Sequence, residues 1–142
     1  MRVGYFGDGR WARRSFERLA SSDKFEMAYV VARHENPDSL LREYAQELDI
    51  PFFSPSDVNE PSFLGELADY VPDVNVSMSY DQILQTDAIE LAPKGFINCH
   101  AGALPFYRGR NVLNWVLING EDHFGVTVHY VDESIDTGDI IT

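Results

Sequence analysis

The sequence predicts an α/β fold, a Rossmann-like and mostly parallel sheet with helices on both of its faces. Two patterns indicate it. Short apolar segments typical of strands alternate along the chain with segments whose apolar residues recur at helical spacing. The first strand also ends in a glycine turn, Gly7-Asp8-Gly9, that opens directly into a helix. Such alternation favours parallel strands joined by helices that cover the sheet on both sides.

The elements follow in a regular order. Strands are expected at 3–6, 25–32, 51–53, 73–78, 96–100 and 125–131, and helices at 10–20, 38–48, 62–70, 82–92 and 111–119. Asn36-Pro37 is expected to cap the second helix, Pro61 to open the third, and Gly120 to end the fifth. Helical spacing predicts three buried faces: Ala12, Phe16, Leu19 and Ala20; Leu40, Leu41, Tyr44 and Leu48; Leu113, Val116 and Leu117.

The end of the sequence carries a further strand pattern. Residues 140–142 are apolar or β-branched and indicate a strand that is just beginning. We therefore expect residues 1–142 to form one domain that is incomplete at its C-terminal end. A sheet edge and an apolar face left open in this way would favour a homodimer or aggregation.

Composition restricts the class of protein. The 142 residues suffice for one domain with a sizeable core, and 44% hydrophobic with 24% charged residues is typical of a soluble globular chain. No apolar run approaches the roughly 20 residues of a membrane helix. The N-terminal residues enter a strand at once and do not resemble a signal peptide. A single cysteine forms no internal disulfide, so a cytoplasmic setting is expected.

The charge is unevenly distributed. A net charge of −12 argues against nucleic-acid binding by this chain alone, because such binding draws on Lys and Arg contacts to phosphate. Residues 91–120, however, contain no Asp or Glu, while Lys94, His100, Arg108 and Arg110 lie there. This window is the part of the chain where an anionic small molecule would be tolerated.

The glycine turn after the first strand has two interpretations. Residues 7–12 fit the dinucleotide fingerprint G-x-G-x-x-A between a strand and a helix. No acidic residue ends the second strand to bind a ribose; Arg33 stands there and would suit NADP. Arg10 and Trp11 crowd the turn, which favours a purely structural strand-to-helix connection. The phosphate-loop signature and the common metal-binding spacings are absent, so no metal site is predicted.

The residues best suited to catalysis lie further along. Asn98 and His100 are two apart in a strand and therefore share one face, with Cys99 on the other. Asp136 follows the last strand in an acidic loop. An amide, an imidazole and a carboxylate at strand ends could polarise a carbonyl and move a proton. A turn role for Asp136 and a core role for His100 are the alternatives, and His129 could face either side of its strand.

Two long segments carry a resemblance to a known family. INCHAGALPFYRGRNVLNWVLINGE and FGVTVHYVDESIDTGDII closely resemble the formyltransferases that use 10-formyltetrahydrofolate, including those acting on methionyl-tRNA, glycinamide ribonucleotide and aminosugars, and the formyltetrahydrofolate hydrolases. The resemblance implies that Asn98, His100 and Asp136 are the catalytic residues. It also implies a folate site and an acceptor site. The folate residues are Ser79, Tyr80, Gln82, Ile83, Leu104, Asp132 and Ile135, and the acceptor residues are Gly102, Arg108 and Arg110.

The resemblance implies a metal-free mechanism with 10-formyltetrahydrofolate as co-substrate. An amine attacks the formyl carbon, Asn98 and His100 stabilise the oxyanion, and Asp136 handles the proton. The start of the chain is more similar to the tRNA and aminosugar branches, and the acidity argues against tRNA. The expected acceptor is therefore an aminosugar nucleotide, with Arg108, Arg110 or the first-helix arginines on its diphosphate. A hydrolase and a non-catalytic folate or nucleotide-binding module remain the alternative functions.

Overall fold

The computed structural model describes residues 1–142, which form one six-stranded sheet flanked by helices. The strands are β1 Arg2–Gly7, β2 Glu26–Val31, β3 Phe52–Phe53, β4 Val74–Met78, β5 Phe96–His100 and β6 Thr127–Tyr130. The helices are α1 Gly9–Ala20, α2 Ser39–Glu47, α3 Pro61–Ala68, α4 Thr86–Ile89 and α5 Val112–Ile118. The strands lie in the sheet in the order β3-β2-β1-β4-β5-β6.

The sheet is parallel except at one edge. β1 to β5 pair in parallel, and β6 runs antiparallel to β5. The chain builds outward from β1 through β2 to β3 and then returns to β4 on the other side of β1. Ligands of such sheets bind beyond the carboxyl ends of the strands at this reversal of order. The predicted fold class is thus confirmed, and the reversal places the ends of β4 and β5 at the expected ligand edge.

Two apolar layers cover the two faces of the sheet. On one face α1 and α2 pack through Ala12, Phe16, Leu41 and Ala45. On the other face Phe6, Tyr29 and Phe96 pack with residues of α3 and α4. Alternate residues of β5 divide between the layers, Ile97 toward the α1 layer and Phe96 toward the α3 layer. Asn98, two residues after Phe96, therefore lies on the face opposite α1.

Four predicted helix details were wrong. The helix expected at 82–92 is only the short α4, and Leu40 and Leu48, expected to be buried, are 51% and 44% exposed. The cap of α2 is Asp38, whose carboxylate accepts hydrogen bonds from Leu40 N and Leu41 N, so neither Asn36 nor Pro37 caps the helix. In α5 the buried pair is Val112 and Val116, whereas Leu113 and Leu117 are 44% and 75% exposed. One residue along a helix turns a side chain by about 100°, so the apolar pattern of α5 fits either face.

The residues after β6 return to its open edge. Tyr130 N donates to Asp139 O at 2.9 Å, and Ile141 N donates to Val128 O at 2.8 Å. A bridge also pairs His129 with Ile140. The strand pattern predicted at 140–142 is therefore realised as a short antiparallel bridge. None of the five helices has both the length and the apolar character needed to cross a bilayer.

Buried tyrosines give the fold a dependence on alkaline pH. Burial raises the pKa of Tyr5, Tyr29 and Tyr80 above the usual 10.0. Above pH 10 the unfolded chain loses these protons while the folded chain keeps them. The stability they contribute is thus complete below pH 10 and lost as pH rises toward the folded pKa values. We expect the free energy of unfolding in urea to fall above pH 10, by up to about 1.4 kcal/mol per pH unit for each tyrosine.

The Tyr80 hydroxyl offers a direct check of this prediction. It is buried without a hydrogen-bond partner, whereas the Tyr29 hydroxyl donates to Asn75 Oδ1 at 2.7 Å. Tyr80→Phe is expected to raise stability at pH 7 by about 1 kcal/mol and to lessen the alkaline loss. Tyr29→Phe, the matched variant with a bonded hydroxyl, is expected to lower stability at pH 7. Equal effects of the two variants would contradict this account.

Candidate active site

The site lies where β5 ends beside the start of β6. Their antiparallel register sets Asn98 opposite His129 and His100 opposite Thr127. Directly opposed residues of an antiparallel pair point to the same face of the sheet. Asn98, His100 and His129 therefore project together on the face opposite α1, at the carboxyl end of β5. The predicted common face of Asn98 and His100 is confirmed.

Asp136 reaches this cluster from the loop after β6. Its backbone is left-handed, with φ 52°, and its Oδ2 accepts a hydrogen bond from Gly109 N at 2.8 Å. Beside it, Arg108 Nε donates to Ile135 O at 2.8 Å. These two bonds tie the loop of residues 101–111 to the loop of residues 131–139. Asp136 has a turn conformation, and its carboxylate also belongs to the site.

The carboxylate of Asp136 lies between two histidines. Its Oδ2 is 3.5 Å from His100 Nδ1, and its Oδ1 is 3.4 Å from His129 Nε2. The His100, His129 and Asp136 side chains are only 9%, 2% and 12% exposed. Asn98 completes the group, with Nδ2 3.2 Å from His129 Nε2. We call Asn98, His100, His129 and Asp136 the amide–imidazole cluster.

His129 is the member of the cluster that sequence reasoning left undecided. Alternation with Val128 and Tyr130 would by itself favour burial of the apolar face, whereas His129 is 2% exposed and Tyr130 44% exposed. The register with β5 decides it, because Asn98 faces His129 across the pair. The other histidines lie apart from the cluster: His123 is fully on the surface beside Asp122, and His34 contacts the Ser54 carbonyl.

His100 and His129 each donate a hydrogen bond from the second ring nitrogen to a backbone carbonyl. His100 Nε2 donates to Tyr107 O at 2.6 Å, and His129 Nδ1 donates to Tyr130 O at 2.7 Å. Gly102 allows the first contact, because a Cβ at that position would lie 2.6 Å from His100 Nε2. Both nitrogens of each ring are thus engaged within the protein. Asn98 Oδ1 makes no hydrogen bond within the protein and is accessible to solvent.

The residues expected to hold the folate lie at the end of β4, next to β5. Ser79 has a left-handed backbone with φ 56°, and the Tyr80 ring packs edge-on against Phe6. Gln82 is engaged elsewhere, since its side chain accepts from Val58 N at 2.8 Å and donates to Pro55 O at 3.0 Å. Ile83 is 66% exposed. The segment is placed beside the cluster, but the Gln82 amide serves to hold two loops together.

The remaining expected residues lie on the two loops tied together at Asp136. Leu104 is half-buried and its N–H donates to Thr127 Oγ1 at 3.2 Å. Ile135 is 55% exposed. Asp132 accepts hydrogen bonds from Ser134 N and Thr137 Oγ1, so its carboxylate shapes the loop. Arg110 is exposed and makes no hydrogen bond or ion pair within the protein.

The glycine turn at β1 does not form a phosphate site. Asp8 is 4% exposed and its carboxylate occupies the turn: Oδ1 accepts from Asp38 N at 2.8 Å, and Oδ2 lies 2.6 Å from Arg33 Nε. A dinucleotide pyrophosphate would need the N-terminus of α1, where this negative charge stands. Arg33, the residue that suits NADP, is already paired. The structural interpretation of the turn is therefore the one supported.

No group of three or more His, Cys, Asp or Glu side chains is arranged to hold a metal ion. Cys99 is half-buried, and burial raises the pKa of its thiol. It lies on the opposite face of β5 from the cluster, so the site chemistry rests on amide, imidazole and carboxylate groups.

Comparison with known proteins adds to this geometry. The family profile for formyl transferases matches residues 1–142. Methionyl-tRNA formyltransferase of Acetivibrio thermocellus is 33% identical over 149 aligned residues, which cover 99% of this chain and 48% of the relative. That of Desulforamulus reducens is 34% identical over 149 residues, 99% of this chain and 47% of the relative. The chain thus spans about half the length of the curated relatives it matches.

Solved structures are similar over the whole chain. A glycinamide ribonucleotide transformylase from Symbiobacterium toebii superposes with a TM-score of 0.82 at 20% identity, covering 100% of this chain and 71% of that one. At this identity the likeness shows the fold. A formyltetrahydrofolate deformylase from Pseudomonas syringae pv. tomato gives a TM-score of 0.79 at 25% identity, covering 99% of this chain and 49% of that one.

Proposed function

Because this chain belongs to the formyl transferase family, we propose that it transfers the formyl group of 10-formyltetrahydrofolate to a primary amine. The amide–imidazole cluster is the observation that supports this most. It sets a carboxylate between two imidazoles beside an amide whose Oδ1 is unbonded, at the sheet edge where α/β proteins bind ligands. We propose that residues 1–142 form the domain that binds the folate and carries out the chemistry.

The cluster can supply both charge stabilisation and proton transfer. The amine nitrogen bonds to the formyl carbon, and the carbonyl oxygen becomes an oxyanion. Asn98 Nδ2 lies 3.2 Å from His129 Nε2 and would leave this contact to donate to that oxygen; loss of one such donor typically costs about 2.7–4 kcal/mol of barrier. Asp136 accepts the proton of the attacking amine and returns it to N10 of the folate as the carbon–nitrogen bond breaks. Proton transfers of this kind contribute about 10²–10⁴-fold.

The role of His100 carries a structural condition. Its Nε2 is engaged with Tyr107 O at 2.6 Å, and its Nδ1 faces Asp136. Direct donation from His100 to the oxyanion therefore requires the loop that carries Tyr107 to release Nε2. With that bond intact, the oxyanion donor would have to come from Asn98 Nδ2.

We propose that the folate lies between the end of β4 and the loop after β6. Ser79 to Ile83 lie on one side of the cluster, and Asp132 and Ile135 lie on the other, with Leu104 from the neighbouring loop. The Gln82 and Asp132 side chains are engaged within the protein, so these positions would contribute backbone groups and shape. Exposed Ile83 and Ile135 offer apolar surface for a folate ring system.

The acceptor we propose is an aminosugar nucleotide. Arg108 and Arg110 lie on the loop that joins the cluster, and Arg110 has no partner within the protein, so it is free for a diphosphate. The α1 arginines fit this role less well, because α1 packs on the opposite face of the sheet from Asn98. The net charge of −12 disfavours a polynucleotide. Methionyl-tRNA is the second candidate acceptor, since the relatives at 33% and 34% identity are named methionyl-tRNA formyltransferases.

The experiment is to follow release of tetrahydrofolate from 10-formyltetrahydrofolate by absorbance, with aminosugar nucleotides, with methionyl-tRNA and without acceptor. We expect release to require one aminosugar nucleotide and to be lost in His100→Ala, with His123→Ala as the matched control. Release with methionyl-tRNA alone would replace the proposed acceptor. Release with water alone would indicate a hydrolase. Protection of the fold by folate without release would indicate a binding module.

Two further proposals concern the surroundings of the protein. A cytoplasmic setting is supported by the single thiol at Cys99, which forms no disulfide.

Association into a homodimer is supported by exposed apolar side chains on α5, among them Trp115, Leu117 and Ile118. Sedimentation across protein concentrations would test the second proposal, and a monomer at every concentration would refute it.

A further inference from the structure

The segment between β4 and α4 lacks regular structure of its own. Residues 79–84 lie outside every helix and strand, and none of the backbone–backbone hydrogen bonds of loops and turns involves them. The Tyr80 and Leu84 side chains pack against the α3 layer, whereas Ile83 is 66% exposed. Apolar packing therefore anchors Tyr80 and Leu84, and the position of the backbone at Ile83 depends on other contacts.

Two side-chain amides supply these contacts. Gln82 makes two hydrogen bonds to backbone groups of the loop before α3. Asn59 returns the connection from that loop: its Nδ2 donates to Ile83 O at 3.0 Å, and its Oδ1 accepts from Gln85 N at 2.8 Å. A backbone N–H only donates and a carbonyl only accepts, so the two partners are compatible with a single orientation of the Asn59 amide. We call these four hydrogen bonds the amide clamp.

Asn59 makes this distant contact instead of a nearby one. It directly precedes Glu60, the N-cap of α3, and asparagine at a helix start commonly accepts from the first N–H groups of the helix. The Glu60 side chain makes no capping bond, and Asn59 does not replace it. Asp57 Oδ1 accepts from Asn59 N at 2.9 Å in a tight turn. The Asn59 side chain thus serves the segment after β4, 24 residues further along the chain, and not its own helix.

We propose that Asn59 is a positioning residue for the folate site, which holds the backbone of residues 83–85 in its binding position before the folate arrives. Its role rests on the proposed function, in which residues 79–83 form one side of that site. Except for Ile83 O, the backbone groups of residues 79–84 make no hydrogen bond within the protein, so they can meet a ligand. A segment that is ordered beforehand avoids the entropy cost of ordering it on binding. Asn59 acts through this segment and does not touch the reacting atoms.

Hydrogen exchange tests the amide clamp without ligand or activity. The Gln85 N–H donates to Asn59 Oδ1, and we expect it to exchange at least about tenfold faster in Asn59→Ala. Asp38→Ala is the matched control, because it also removes a side chain that bonds two backbone N–H groups, but in α2, which packs in the α1 layer. It should leave exchange at Gln85 unchanged. Equal exchange at Gln85 in Asn59→Ala and in the unsubstituted protein would overturn the proposal.

Binding of 5-formyltetrahydrofolate, a stable isomer of the formyl donor, tests the role of Asn59 in the site. We expect Asn59→Ala to raise its Kd about 5- to 20-fold, because the ligand must then order the segment itself. Asp38→Ala should change the Kd by less than about twofold, although both variants lower the stability of the fold. An unchanged Kd in Asn59→Ala, with binding intact in the unsubstituted chain, would overturn this proposal alone. Failure of the unsubstituted chain to bind would overturn the proposed folate site as well.

Steady-state kinetics separate positioning from a purely structural role. Loss of folded protein lowers the apparent kcat and leaves KM unchanged, whereas a disordered binding segment raises KM. In tetrahydrofolate release we expect Asn59→Ala to raise KM for 10-formyltetrahydrofolate about 5- to 20-fold, with kcat within about threefold. The bonds of the amide clamp do not involve the amide–imidazole cluster, which is why kcat should be retained. A reduced kcat with unchanged KM would leave Asn59 a structural role only and overturn the proposal.

Discussion

Gly4→Ala is expected to lower the free energy of unfolding by about 3–5 kcal/mol. Gly4 lies in the middle of the sheet, between β2 and β4. A Cβ there would collide with Asn75 Oδ1 and come within 2.5 Å of the Tyr29 hydroxyl. These two groups form a buried hydrogen bond of 2.7 Å across the glycine. Added volume would separate them and leave buried polar atoms unpaired.

Gly65→Ala is the matched control for this prediction. Gly65 lies inside α3, and a Cβ there would meet no atom within 4 Å. Alanine in a helix restricts the unfolded chain and is expected to raise stability by about 0.4–1 kcal/mol. Urea unfolding of both variants measures the two effects. A similar small effect for both would mean that the sheet accommodates a Cβ at Gly4 and that the Tyr29–Asn75 hydrogen bond contributes little to stability.

The sequence predicted those features of the fold and site that depend on local periodicity. Alternation along β5 is a property of one strand, so the shared face of Asn98 and His100 followed directly. The alternation of strands with helices likewise predicted the parallel sheet. Some boundaries were close for the same reason, for example Glu26–Val31 against the expected 25–32, whereas the helix expected at 82–92 covers only Thr86–Ile89.

Features that depend on partners distant in the chain could not be predicted in this way. His129 belongs to the cluster because of the register between β5 and β6, which the sequence of either strand alone does not determine. Asp8 fitted a phosphate-binding fingerprint, but its carboxylate is paired with Arg33 and with Asp38 N, 25 and 30 residues away. The resemblance to formyltransferases had implied the three residues Asn98, His100 and Asp136, and geometry adds His129.

Asp136→Asn is expected to lower kcat by about 10²–10⁴-fold while leaving the protein folded. The substitution removes the charge and keeps the shape of the side chain. The new amide oxygen can still accept the Gly109 N–H at the Oδ2 position, and the new NH₂, at the Oδ1 position, can donate to His129 Nε2. The hydrogen-bonded geometry of both loops is therefore retained. What is lost is the group proposed to take the proton from the attacking amine.

The measurement is kcat and KM for tetrahydrofolate release, together with thermal unfolding of the same samples. Asp139→Asn lies three residues away on the same loop and faces neither histidine, so its activity should match that of the unsubstituted protein. A folded Asp136→Asn protein with kcat within about threefold would remove Asp136 from the chemistry. Its two contacts with the histidines would then serve only to hold the loop in place. Because the variant can keep the Gly109 hydrogen bond and the contact with His129, loss of activity without loss of stability separates the charge of Asp136 from its structural role.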